Sequence, residues 1–240
     1  MGPRGWGPSG GFSVRGFPEL VIFDLDGTLV DTRAWWLPVA EEGLRRFSER
    51  TGRKVPFPGG EKAWSLVGLP DDEVFRGLLP PERQGEWEVL RDILVPIEGE
   101  VLRSQRDFLF PGTRELLGEL KAAGVKLGVA SNCGPDYLEA VLEGQGIAPW
   151  VDASFCRGRP EGMGEKAQML REAMRVLGAQ EAVLVGDRDS DARAAQDAGI
   201  PFVLREGSGP EVFAAAYACC AASNQEGVRD CLARGCFQGG

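Results

Sequence analysis

Short apolar runs alternate with helical patterns along most of the chain. Leu20–Leu25 reads LVIFDL, a run of the kind shown by a strand buried on both faces. Comparable runs are Lys126–Ala130 (KLGVA), Ala182–Gly186 (AVLVG) and Pro201–Leu204. Each of these three follows a helical pattern closed by a glycine: Thr113–Ala123 before Gly124, Lys166–Leu177 before Gly178, and Ser190–Ala198 before Gly199. In Lys166–Leu177, residues Ala167, Leu170, Met174 and Leu177 recur at spacings of three and four, so one stripe faces a core. Weaker strand signals lie at Val151–Phe155 and Tyr217–Ala222. The latter precedes Ser223-x-x-Glu226, a capping-box pattern that predicts a last helix to about Ala233. This alternation predicts an α/β fold: a doubly wound, Rossmann-like parallel sheet with helices on both faces.

The rhythm breaks between Thr32 and Phe110, where no convincing strand occurs. The pattern there predicts four helices: about Ala34–Arg50, Lys62–Val67, Asp71–Leu79, and a longer, broken one from Pro81 to about Asp107. The expected organisation is a catalytic core of residues 17–31 and 111–240, with an all-helical cap domain inserted at 32–110. Residues 1–16 hold six glycines and two prolines and read as a flexible leader.

Composition narrows the chemistry. The 240 residues include no histidine, which excludes a Ser-His-Asp triad, a phosphohistidine enzyme and an H-E-x-x-H zinc site. The net charge of −9 argues against nucleic acid as a partner but leaves room for a small phosphorylated substrate. Six cysteines form neither C-x-x-C nor Cys-x5-Arg, and read as small buried hydrophobes in a reducing compartment. No apolar run approaches the length of a membrane span, and the N-terminus lacks a signal-like apolar stretch. A cytoplasmic protein is expected.

Carboxylates gather at the predicted strand ends. Asp24-Leu25-Asp26-Gly27-Thr28 follows the first strand, and ligands of open parallel sheets bind at that edge. Two such acids would repel each other unless a cation sat between them. A second set, Asp187 to Asp191, follows the strand Ala182–Gly186. Four carboxylates on two strand ends suit a hard cation such as magnesium, although helix capping by Asp and Ser is the plainer use of such residues. Ser131 and Asn132 end the strand Lys126–Ala130 and offer neutral donors at the same edge. Lys166 opens a helix, the unfavourable end for a cation, and so invites an anionic partner. A Walker-type phosphate loop is absent.

In this order, the four segments resemble the haloacid dehalogenase superfamily: VIFDLDGTLVDT from Val21, GVASN ending at Ser131-Asn132, Lys166, and Gly186 to Asp191. Many relatives carry the lysine in a K-P-x-P context, whereas here Arg159-Pro160 holds similar wording and Lys166 follows it. A helical cap after the first strand, with VGLPDDEVFRGLLP at Val67–Pro80, is similar to the phosphoglycolate phosphatase-like branch. The resemblance implies a magnesium-dependent phosphatase acting on a small phosphorylated metabolite. It casts Asp24 as nucleophile, forming an aspartyl phosphate, and Asp26 as acid and base. Magnesium would be held by Asp24, Asp26 through its carbonyl, Asp187 and Asp191. Thr28, Ser131, Asn132 and Lys166 would hold phosphoryl oxygens. A sugar-phosphate mutase of the same family, or a non-catalytic binding protein on this fold, are the alternatives. Trp35, Trp36, Arg33, Lys62 and Trp64 are candidates for the cap's pocket or its core.

Overall fold

The computed structural model describes residues 16–158, 164–207 and 212–235. Six parallel strands form one sheet: β1 (Leu20–Phe23), β2 (Lys126–Ser131), β3 (Ala153–Cys156), β4 (Ala182–Gly186), β5 (Phe202–Arg205) and β6 (Cys220–Ala222). Their order across the sheet is β3-β2-β1-β4-β5-β6. β1 is therefore central, and the chain crosses from one side of it to the other between β3 and β4. Ligand sites of such sheets form beyond the strand ends, where the order reverses.

Alternate residues of each strand enter opposite cores, as the period of two requires. Val21 and Phe23 join Val129 and Val185 on one face, under α5 (Thr113–Ala122), α6 (Pro135–Gly144) and α10 (Gln225–Ala233). Leu20 and Ile22 join Leu184 and Phe202 on the other, under α7 (Lys166–Leu177), α8 (Asp189–Ala198) and α9 (Val212–Tyr217). Leu170 of α7 is fully buried there, as its stripe predicts.

Between β1 and β2 lie α1 (Trp36–Thr51), α2 (Gly60–Trp64), α3 (Asp71–Leu78) and α4 (Trp87–Leu102). Leu44 and Phe47 of α1 pack with Leu90 and Leu94 of α4 in a core continuous with the first sheet face. The chain enters and leaves this segment side by side. Asp31 N–H donates to Phe108 O at 2.7 Å and Phe110 N–H to Leu29 O at 3.0 Å. No described helix is long and apolar enough to cross a membrane.

Several local expectations are corrected. The segment after Pro81 begins as a 3-10 turn, Pro81–Glu86, and the α-helix then runs through Pro96. α6 carries no strong signal in the sequence. The strand expected at Tyr217–Ala222 is helical as far as Tyr217, where the alanine-rich FAAAY favours a helix. Asn224, not Ser223, caps the last helix, accepting from Gly227 N–H at 2.8 Å. That register lets Gln225 donate to Thr28 O at 2.8 Å, so a tertiary contact selects between two good caps.

The cysteines also depart from the reduced reading. Cys220 and Cys231 form a disulfide that ties β6 to α10, with Cα atoms 5.8 Å apart. Cys133 and Cys156 are buried as expected, Cys219 is exposed, and Cys236 lies outside the described residues. The cross-link spans a sequence separation of 11. Closing a loop of that order contributes up to about 3 kcal/mol. Reductant is therefore expected to lower Tm, by up to about 10 °C. An unchanged Tm, with both cysteines recovered as thiols beforehand, would contradict the cross-link.

Candidate active site

The site is built where β1 stops pairing. Asp24 N–H still donates to Val185 O of β4, at 2.9 Å. The chain then turns tightly: the N–H groups of Thr28, Leu29 and Val30 all donate to Leu25 O. Gly27 takes φ +78°, which a side chain would disfavour. Asp24 and Asp26 thereby border one cavity together with Ser131 and Asn132 from the end of β2. Arg205 supports the turn from below. Its guanidinium donates to Gly27 O at 3.3 Å and stacks 3.5 Å from the Phe110 ring centre.

Behind Asp24 lies a buried charge cluster. Lys166 Nζ donates to Asp24 Oδ1 at 2.7 Å and to Asp191 Oδ1 at 2.5 Å. Single oxygens of Asp24, Asp187 and Asp191 lie within 4.8 Å of one another. Asp191 Oδ2 accepts the N–H groups of Asp187 and Arg188, at 3.2 and 3.1 Å, in the first turn of α8. Close approach at Gly186 permits this, because a Cβ there would lie 2.6 Å from the Asp191 carboxylate. Arg188 Nε stands 3.7 Å from Asp187 Oδ2.

Burial pushes the Asp24 carboxyl well above the usual carboxylate range. Lys166 opposes that shift, while Asp191, Asp187 and Asp26 add to it. Burial alone would lower the Lys166 ammonium, but Asp191 and Asp24 overcome it and hold the pKa above its ordinary value. Three carboxyl groups, Asp24, Asp187 and Asp191, gather around this one ammonium. A buried, oxygen-only set with excess negative charge fits a hard divalent cation.

Asp26 stands apart from this cluster. Its Oδ1 accepts the hydroxyls of Thr32, at 2.5 Å, and of Tyr137. Burial raises its pKa, and those two hydrogen bonds oppose the rise. Neither donor was singled out from the sequence. Thr32 ends the quoted first motif, but Tyr137 is 111 residues away on α6 and carries no local signal.

The expected phosphate ligands divide. Ser131 borders the cavity, and its Oγ accepts Cys133 N–H at 3.3 Å. Asn132 also borders it but spends its amide on the cap, donating to Gly68 O at 3.1 Å. Thr28 is fully buried, and its hydroxyl turns to Asp187 Oδ1 at 3.3 Å, away from the cavity lining. Arg159 lies outside the described residues.

Residues of the helical segment between β1 and β2 border the cavity, which measures about 50 Å³. Trp36 lines it, and Trp35 stacks between Phe108 and Tyr137. Arg33 lies over the Trp64 ring and Lys62 is exposed. Two further acids border the cavity. Glu98 of α4 accepts Trp36 Nε1–H at 3.1 Å. Burial, together with Asp71 and Asp26, pushes its carboxyl up to about 8, against the Trp36 hydrogen bond. Burial likewise raises Asp71 to about 6, against a hydrogen bond from Gly134 N–H.

A family model described as haloacid dehalogenase-like hydrolase matches residues 18–199. The chain belongs to that family. Over 189 residues it is 30% identical to the tyrosine-protein kinase PtkA of Mycobacterium tuberculosis, covering 78% of this chain and 62% of PtkA. The chain thus spans less than two thirds of that relative's length. Over 203 residues it is 30% identical to a phosphoglycolate phosphatase of Rhodospirillum rubrum, covering 78% of this chain and 79% of the relative. A solved haloacid dehalogenase-like hydrolase of Streptococcus pneumoniae superposes with a TM-score of 0.70 at 22% identity, covering 88% of this chain and 96% of the other. The two share the fold.

The raised Glu98 carboxyl has a thermodynamic consequence. The folded chain keeps a proton up to about pH 8 that a carboxyl of ordinary value 4.5 has already lost in the unfolded chain. The associated stability is full at low pH and is lost as pH rises through that window. Glu98→Gln cannot ionise. Its Tm relative to wild type is expected to improve by at least about 3 °C between pH 5 and pH 9. A Tm difference independent of pH would show that Glu98 titrates normally.

Proposed function

We propose that the chain is a magnesium-dependent phosphatase of small phosphate monoesters. It works through a phosphorylated Asp24, and residues 32–110 serve as a cap. One observation carries this reading: Lys166 bridges Asp24 and Asp191 at the carboxyl edge of the sheet, while Asp26 is held separately beside them. Two carboxyls in different environments can take different roles.

In this reading Asp24 attacks phosphorus in line and the ester oxygen leaves. Thr32 and Tyr137 both occupy Oδ1 of Asp26, leaving Oδ2 to protonate that oxygen. Asp26 then takes a proton from the water that opens the aspartyl phosphate. Lys166 and the Ser131 hydroxyl hold phosphoryl oxygens, and Asn132 positions the cap as well as the substrate. Thr28 acts one step removed, by orienting Asp187. Asp24, the Asp26 carbonyl, Asp187 and Asp191 would hold magnesium, which when bound neutralises phosphoryl charge. The substrate is a small metabolite, and neither nucleic acid nor membrane is a partner. The relative that carries the name tyrosine-protein kinase favours a second reading, phosphoryl transfer to tyrosine. ATP-dependent phosphotyrosine formation, without phosphate release from monoesters, would select it.

Asp24→Asn is expected to lower phosphate release from a monoester by more than about a thousandfold with the fold intact. Chelator is expected to abolish wild-type release, and added magnesium to restore it. Turnover within tenfold of wild type in the variant, or full activity in chelator, would overturn the corresponding assignment. Lys166→Ala is expected to lower kcat by at least about a hundredfold, the scale of removing one transition-state donor. Arg159→Ala, assayed beside it, should cost much less. The reverse ranking would move the phosphate-pairing role to Arg159.

A further inference from the structure

Beside Asp26, the cavity is lined by Asp71, Glu98, Trp36, Phe75 and Tyr137, and by no lysine or arginine among the described residues. Glu98 is only 6% exposed. Its Oε1 accepts the Trp36 N–H, and its Oε2 has no hydrogen-bond partner among the described residues. Neither Glu98 nor Asp71 forms an ion pair among the described residues. A buried carboxyl without a paired cation is costly, and a second acid beside it raises the cost. The nearest cations stand outside this lining, and Arg91 acts on Asp71 only from the adjoining cavity. Lys166 lies between Asp24 and Asp191. Arg91 and Arg157 line an adjoining cavity of about 610 Å³ that shares Asp71 and Tyr137. Arg91 is 2.7 Å from Asp92, and Arg157 donates to Asn132.

Resting on the phosphatase reading, we propose that the substrate's leaving group carries an ammonium group, received by Glu98 and Asp71 between the rings of Trp36, Phe75 and Tyr137. An ammonium offers donors for the open Glu98 oxygen and for Asp71. Aromatic faces stabilise the same charge. A leaving group ending in a carboxylate meets three acids, Asp26, Asp71 and Glu98, in a lining that holds no cation among the described residues. Selection therefore works by repulsion as well as attraction. The upward shift of Glu98 belongs to the same imbalance, since an arriving cation lets the carboxyl ionise.

Three two-carbon esters isolate the terminal group: 2-aminoethyl phosphate, 2-hydroxyethyl phosphate and carboxymethyl phosphate (2-phosphoglycolate). Hydrolysis of p-nitrophenyl phosphate separately tests the phosphatase reading. Given that hydrolysis, kcat/KM is expected to be highest for the 2-aminoethyl ester, at least about thirtyfold above the carboxymethyl ester, a gap of about 2 kcal/mol. The hydroxyethyl ester should fall between them. Where an ester is not turned over, its Ki against p-nitrophenyl phosphate is ranked in the same way. Glu98→Gln and Asp71→Asn should each shrink the aminoethyl-to-carboxymethyl ratio at least about tenfold, chiefly through KM. The ratio is internal to each enzyme, so it does not depend on how much of a variant folds. Equal or better use of the carboxymethyl or hydroxyethyl ester, inhibition by none of the three, or ratios unmoved in both variants would each overturn the proposal. Loss of p-nitrophenyl phosphate hydrolysis itself would instead count against the phosphatase.

Discussion

The ammonium of Lys166, held between the carboxylates of Asp24 and Asp191, is the contact around which this edge of the sheet is organised. It joins three elements that are distant in sequence: the end of β1, the start of α7 and the first turn of α8. Buried carboxylates repel one another and each resists ionisation away from water. One ammonium offsets part of that cost and fixes where Asp24 points. The remaining excess of negative charge makes a divalent cation a physically reasonable occupant. The same geometry constrains the backbone. Gly186 must lack a side chain for Asp191 to reach both the ammonium and the two N–H groups at the head of α8.

A second layer keeps Asp26 out of that cluster. Its partners are hydroxyls, from Thr32 at the entrance to the cap and Tyr137 on α6, so its proton is governed by burial and hydrogen bonding more than by Lys166. The helical segment between β1 and β2, proposed above as a cap, contributes through contacts at its rim. Gly68 O rests on the Asn132 amide, and Arg188, next to Asp187, sits 5.8 Å from the Trp64 ring. Movement of this helical segment would therefore be felt beside both Asn132 and Asp187.

Much of this was legible in the sequence, for identifiable reasons. Buried parallel strands announce themselves as apolar runs, and acids directly after such runs have few structural uses. Asp24, Asp187 and the start of α7 at Lys166 follow from that logic. What escaped was set by tertiary packing. Tyr137 reaches Asp26 across 111 residues, from a helix that local pattern does not connect with the first strand. Glu98 looks like any polar residue of an amphipathic helix until α1 places Trp36 over it. Thr28 stands inside the most specific motif, yet its hydroxyl faces Asp187, because the Gly27 turn buries it. Among the cysteines, β6 packing on α10 brings Cys220 to Cys231, which spacing alone does not reveal.

The proposed chemistry stands or falls on whether Asp24 becomes phosphorylated. The most direct measurement is to acid-quench the enzyme during turnover of a phosphate monoester, reduce it with borohydride and map the peptides by mass spectrometry. An aspartyl phosphate is reduced to homoserine, so homoserine is expected at position 24 and only with substrate present. Unmodified Asp24 during ongoing turnover, or homoserine at another aspartate, would contradict the account.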